Sequence, residues 1–283
     1  FDLSNNYLQG SISSSIGNLL EMQQLFLSYN RLSGSLPDSL SQLSSLISLQ
    51  IQHNKLSGNL DNTFNSSVQS QLAYVLLGSN VFTGTLPDAL FEGANLIGVD
   101  VSVNCLAQAT LPDSICLNRG IETIGLFCLS CQSQCNIALE GAADSFSNRH
   151  LSDNTIPPCV LQLPQLQQVN LVGNYLTGSL SSNLVLSPDL IKLDLGYNLL
   201  TGHIPFGVQS APKLYFSIRS NRFRGNVDSM YVSPEDNNTL NVANNRLTGG
   251  LPKSIVSAKN PIEVLSGNIF SCNLDHSDLP QKD

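Results

Sequence analysis

The stretch Leu25-Phe-Leu-Ser-Tyr-Asn-Arg-Leu-Ser-Gly-Ser-Leu-Pro37 recurs along this chain. It returns as Leu49-Gln-Ile-Gln-His-Asn-Lys-Leu-Ser-Gly-Asn-Leu60, as Leu193-Asp-Leu-Gly-Tyr-Asn-Leu-Leu-Thr-Gly-His-Ile-Pro205 and as Leu240-Asn-Val-Ala-Asn-Asn-Arg-Leu-Thr-Gly-Gly-Leu-Pro252. The aligned asparagines are Asn6, Asn30, Asn54, Asn80, Asn104, Asn174, Asn198, Asn221, Asn245 and Asn268, separated by 24, 24, 26, 24, 70, 24, 23, 24 and 23 residues. A fixed period of this length marks a repeat architecture in which each unit covers the apolar face of the next.

Each part of the phrase has a physical task. Alternation such as Leu25-x-Leu27 places two apolar side chains on the inner face of a short strand. The asparagine stands where the chain turns away, and its amide can pair the backbone groups that the bend leaves open. Four residues on, glycine (Gly34, Gly58, Gly84, Gly178, Gly202, Gly225, Gly249) permits a close turn. Leu36-Pro37, Leu86-Pro87, Ile204-Pro205 and Leu251-Pro252 favour an extended segment, because proline restricts its predecessor. The pattern predicts an α/β-type solenoid: a right-handed superhelix of about eleven coils at roughly 4.8 Å each, about 50 Å long, with a parallel strand sheet on its concave face.

The phrase LxxLxLxxNxLxGxIP resembles the plant-type leucine-rich repeat family, found in receptor kinases, receptor-like proteins and secreted inhibitors. The resemblance covers nearly the whole chain and implies an extracellular, cell-surface domain that binds a protein, a peptide or a glycan, with a co-receptor as a further partner. Membrane attachment would come from an anchor outside the chain. That expectation suits the opening at Phe1-Asp2-Leu3, inside a repeat, and the end at Gln281-Lys282-Asp283, which read as the cut ends of a fragment.

The register breaks once. From Asn104 to Asn174 the chain runs 70 residues. Phe127-Cys128-Leu129 replaces the approach to the expected asparagine, and a coil resumes at Ile156-Pro157-Pro158-Cys159. The organisation is therefore repeats over 1–128, a Cys-containing insertion over 129–155, repeats over 156–272 and the flank of a cap over 273–283. The insertion reads as a surface loop held to the body. It resembles the island segments of some plant receptors but is shorter.

Seven cysteines, Cys105, Cys116, Cys128, Cys131, Cys135, Cys159 and Cys272, are disulfide candidates. Cys128, Cys131 and Cys135 with Cys159 or His150 could be drawn as a zinc site, yet the second paired half of such a motif is missing. No metal and no cofactor is expected. The resemblance implies that Cys272 pairs within a terminal cap. Asn65-Ser66-Ser67 and Asn237-Asn238-Thr239 are glycosylation sequons, so Asn65 and Asn237 join the cysteines in pointing to an oxidising, extracytoplasmic compartment.

Charged residues are only 12% of the chain, 13 basic against 21 acidic, for a net charge of −8. Without a basic run, nucleic acid is not an expected partner. No apolar stretch reaches the ~18–20 residues of a membrane span. His53, His150, His203 and His276 lie in separate repeats or loops, and no G-x-S-x-G, HExxH or P-loop motif accompanies them. The expectation is a non-enzyme, though a kinase domain could follow the fragment.

Side chains flanking the strand leucines should face outward on the concave side. The expected ligand-binding residues are Phe26, Tyr29, Gln50, His53, Asp100, Asp194, Tyr197 and Arg219, with Ser28, Gln52, Leu76, Ser102, Phe127, Asn170, Ser217 and Asn241 on the same columns. Phe26, Tyr29, Gln50 and His53 form the preferred patch. Some receptors of the family hold a peptide carboxylate with paired arginines in an RxR arrangement. Here Arg219 has Ser217 as its partner, which argues against that mode. The rival readings are a secreted inhibitor resembling those that block pectin-degrading enzymes, and a structural or adhesive wall protein.

Overall fold

The computed structural model describes residues 1–106, 111–129, 135, 154–212, 215–232, 239–258 and 262–271. Most of the expected insertion therefore lies outside the described residues, as do Cys131, His150, Asn237, Cys272 and the flank 273–283. The chain divides into two compact units, Phe1–Leu151 and Ser152–Asp283.

In the first unit the strands Gln24–Phe26, Ser48–Gln50, Tyr74–Leu76, Gly98–Asp100 and Thr123–Gly125 pair in parallel, each with the next. In the second unit the same holds for Gln168–Asn170, Lys192–Asp194, Tyr215–Ser217, Thr239–Asn241 and Ile262–Glu263. The register brings equivalent repeat positions together. Leu25 pairs with Leu49 and Leu49 with Val75; Val169 pairs with Leu193 and Leu193 with Phe216.

These residues, with Leu27, Ile51, Leu77, Leu171, Leu195 and Ile218, form the buried interior. Each buried leucine contributes about 2 kcal/mol through the apolar area it loses to water. A third column of Leu32, Leu56, Phe82, Leu176, Leu200, Phe223 and Leu247 completes it.

Two features of the phrase do what the sequence predicts. Gly58 has φ +84°, and a Cβ there would lie 2.9 Å from the Ser35 Cβ in the preceding repeat; Gly202, at +81°, would meet the Ser179 Cβ at the same 2.9 Å. The prolines Pro37, Pro87, Pro112, Pro205 and Pro252 are extended and each opens a short helical turn, such as Asp38–Gln42 or Phe206–Ser210. A fixed φ and a missing N–H suit proline to that position.

The asparagines tie each repeat to the one before. In Asn80, Nδ2 donates to the carbonyl oxygens of Leu77 in its own repeat and Ile51 in the preceding one, both at 3.0 Å. Its Oδ1 accepts from the Leu56 N–H at 3.0 Å. Asn30, Asn54, Asn104, Asn198, Asn221, Asn245 and Asn268 make the same two-way connection. Asn6 departs from the expected ladder: it is exposed, and its side chain bonds only the local carbonyls of Leu3 and Ser4.

The expected break is present at Leu129, which is buried where the next asparagine would stand. Its backbone oxygen accepts the Leu106 N–H at 2.8 Å. An asparagine Oδ1 does this for the matching amides Leu56 and Phe82. Beside this gap Cys105 is bonded to Cys135. Cys116, Cys128 and Cys159 are also disulfide-bonded. All five cysteines among the described residues are thus oxidised, as the sequence reading expects. No metal-binding group of His, Cys, Asp or Glu occurs among the described residues. Among those residues no helix is long and apolar enough to cross a membrane.

Candidate functional site

Backbone geometry sets the outward side chains of each ladder. The residue before the aligned asparagine is left-handed in nearly every repeat: φ is 55° at Tyr29, His53 and Ser79, 56° at Val103, 53° at Tyr197 and 54° at Ser220, and buried Cys128, before Leu129, shares it at 55°. Non-glycine residues rarely adopt this conformation, and at Val103 it is costlier still. The bend that seats the asparagine imposes it. A consequence is that the preceding side chain projects away from the core, leaving Tyr29 and Tyr197 half exposed.

In the first unit this bend brings Tyr29 and His53 together. Their rings stack with centroids 4.3 Å apart and planes 17° from parallel. Phe26 and Gln50 are register partners on the adjoining strands, so the four residues of the preferred patch are neighbours. Ser28 is not on the surface as expected: its hydroxyl donates to Gln52 Oε1 at 2.8 Å and the longer side chain covers it.

Asp100 has a structural task alongside the expected one. Its Oδ1 accepts the Ser102 N–H at 2.8 Å. The same bond to the amide two residues on is made by Asp2, Asn170, Asp194 and Asn241. Such Asx turns explain why Asp and Asn occupy this column. Around Asp100 the neighbouring outward positions are Gly78, Gly98 and Gly125, and a Cβ at Gly125 would touch its carboxylate at 3.0 Å. The carboxylate is therefore flanked by Gly78 and Gly125.

In the second unit Asp194 is more fully engaged. Gly196 N–H donates to its Oδ1 at 3.0 Å, and the Tyr215 hydroxyl donates to its Oδ2 at 2.9 Å. Burial, followed by this carboxylate acceptor, raises the Tyr215 phenol above its ordinary pKa. Lys192 lies 5.4 Å from the centre of the Tyr215 ring. Arg219 crosses Gly196, where a Cβ would meet its Cγ at 3.0 Å, and its guanidinium carbon sits 4.5 Å over the Tyr197 ring. Its Nη2 donates to the Tyr197 hydroxyl, while its buried Nε has no acceptor. Asn241 donates to Glu263 at 2.6 Å.

Ser217 is again a correction. It is wholly buried beneath this cluster and offers nothing to a ligand. Tyr215, Lys192 and Glu263 were not anticipated. The signal was available for the first two, since Lys192 and Tyr215 precede the buried strand residues Leu193 and Phe216 and are register partners. Asn65 is exposed, with its Oδ1 accepting the Ser67 N–H at 3.1 Å.

Stacked parallel strands, an asparagine ladder and glycine turns define the leucine-rich-repeat fold, and this chain has that fold. The Leucine Rich Repeat family model matches residues 1–19 and 21–43. No curated protein matches the sequence. Among solved structures, PEPR1 with AtPEP1 is 26% identical with a TM-score of 0.72, covering 94% of this chain and 38% of that one. The plant peptide hormone receptor RGFR1 in complex with RGF2 is 24% identical with a TM-score of 0.70, covering 97% and 44%. The Arabidopsis receptor kinase HAESA, in complex with the peptide hormone IDA and the co-receptor SERK1, is 24% identical with a TM-score of 0.52, covering 95% and 54%. The chain thus spans roughly two fifths to just over half of these structures.

Proposed function

We propose that this chain is the ligand-binding part of an extracellular receptor ectodomain, and that it takes a peptide or a protein edge along the outward side of its strand ladders. The observation that carries the reading is the pair of preorganised aromatic clusters, Tyr29 on His53 and Arg219 on Tyr197. Tyr and Arg held in one orientation lose little freedom on binding, which is why they are frequent hot spots. The five oxidised cysteines support an oxidising compartment. Likeness to PEPR1 and RGFR1, whose structures hold AtPEP1 and RGF2, supports a peptide as the ligand class, and HAESA with SERK1 supports a co-receptor. Attachment to a membrane is assigned to a segment outside these residues.

The test selects binders from a displayed random 12-residue peptide library on the disulfide-intact chain. Each selected peptide is then titrated against Phe26→Ala/Tyr29→Ala and Tyr197→Ala/Arg219→Ala. At least one double variant is expected to weaken binding about thirtyfold, the size of a hot-spot truncation. Peptides that bind both variants as tightly as the parent chain would remove the strand face from the proposal.

A further inference from the structure

Four of the seven arginines, Arg219, Arg222, Arg224 and Arg246, fall within 28 residues of an acidic chain. Arg219 belongs to the cluster already described. The other three lie beyond the ladder asparagines Asn221 and Asn245, where exposure alternates. Arg222 and Arg224 are exposed on either side of buried Phe223, and Arg246 is exposed before buried Leu247. The short strands Arg224–Gly225 and Arg246–Leu247 pair in parallel with Arg224 directly opposite Arg246. An isolated bridge places His203 opposite Arg224 on the other side.

This arrangement is unfavourable for the chain by itself. Like charges directly opposite on paired strands repel. Nothing among the described residues offsets them: none of the three guanidiniums has an ion pair, a side-chain hydrogen bond or an aromatic ring, and the nearby Asp228 is bonded to Asn226. Two other arginines are placed differently. Arg31 lies 4.9 Å over the Tyr7 ring and Arg219 lies 4.5 Å over Tyr197.

We infer that Arg222, Arg224 and Arg246 form a docking strip for an acidic, extended segment of a partner protein. Guanidinium forks bind carboxylates bidentately, with a geometry that lysine cannot supply. The spacing fits such a segment. Arg222 and Arg224 are two residues apart, about 6.6 Å along an extended chain, and Arg246 stands one repeat away, at about 4.8 Å. Carboxylates at alternate positions of an extended peptide repeat at the same ~6.6 Å. The strip is separate from the strand-face clusters, so it stands or falls independently of the ligand-binding proposal.

The experiment titrates the intact 283-residue chain with a fluorescent peptide carrying aspartate at alternate positions, and with polygalacturonate as a carboxylate polymer that is not a peptide. The peptide is expected to bind with an affinity that falls as salt rises. Arg224→Gln/Arg246→Gln should weaken it about tenfold, the worth of one charge-assisted bond. Arg31→Gln, which removes one charge elsewhere, should leave it unchanged. The double variant should also unfold at the same or a slightly higher temperature, because a repulsion is removed. Equal losses from Arg31→Gln and the double variant would overturn the strip. So would absent peptide binding, or polygalacturonate bound more tightly at equal charge.

Discussion

Alanine at Asn80 is expected to lower stability by about 4 kcal/mol, whereas alanine at Asn6 should change it by less than about 0.5 kcal/mol. The side chain of Asn80 is 1% exposed and holds Ile51 O, Leu77 O and Leu56 N–H across two repeats. Its removal strands three backbone groups where water cannot replace the amide, at roughly 1–3 kcal/mol each. The Asn6 side chain bonds only Leu3 O and Ser4 O at an exposed site, so solvent can take its place. At about 2–4 °C per kcal/mol in a chain of this size, the Asn80 variant should melt roughly 10 °C below the parent. Thermal unfolding followed by circular dichroism checks both variants. Equal melting temperatures would mean that stacked leucines, and not the amide ladder, hold the repeats in register.

The contrast between these two asparagines shows where sequence reading reaches its limit. Leucine, asparagine and glycine keep their columns because each faces another repeat, and stacking converts a structural period into a sequence period. The break at Leu129 is legible for the same reason, as is the oxidised state of Cys105 and Cys135. The left-handed residue before each asparagine is not legible. Tyr29, His53, Ser79 and Val103 have no shared chemistry, because the neighbouring ladder imposes their backbone and their own preferences do not.

The candidate site was legible in part for a related reason. The patch of Phe26, Tyr29, Gln50 and His53 follows from counting along the repeat, and the strands do bring its members side by side. Counting does not reveal that Gln52 covers Ser28, that Ser217 lies beneath the Arg219 cluster, or that Tyr215 occupies the second oxygen of Asp194. Those outcomes depend on side-chain length across repeats. Asp100 and Asp194 look alike in the sequence, but one is flanked by glycines and the other is closed by a phenol.

Serine in place of both Cys105 and Cys135 is expected to cost about 3–4 kcal/mol, close to the effect at Asn80. The bond spans 30 residues, and closing a loop of that length removes about this much free energy from the unfolded chain. Its position adds a local consequence. Asn104 is the last asparagine before the gap, and Cys105 follows it directly. Where the next amide would tie the repeats, Leu129 supplies a backbone acceptor for Leu106 N–H and no side-chain donor. The disulfide therefore adds a covalent tie beside this position, with Cys135 Sγ 3.3 Å from the Asn104 oxygen. Hydrogen exchange should separate the two contributions. A purely unfolded-state effect would speed exchange throughout the first unit alike, whereas loss of this local tie should first expose the Leu106 amide. If the double-serine chain melts within 2 °C of the parent and protects Leu106 equally, the repeat at the gap is held by its leucines alone.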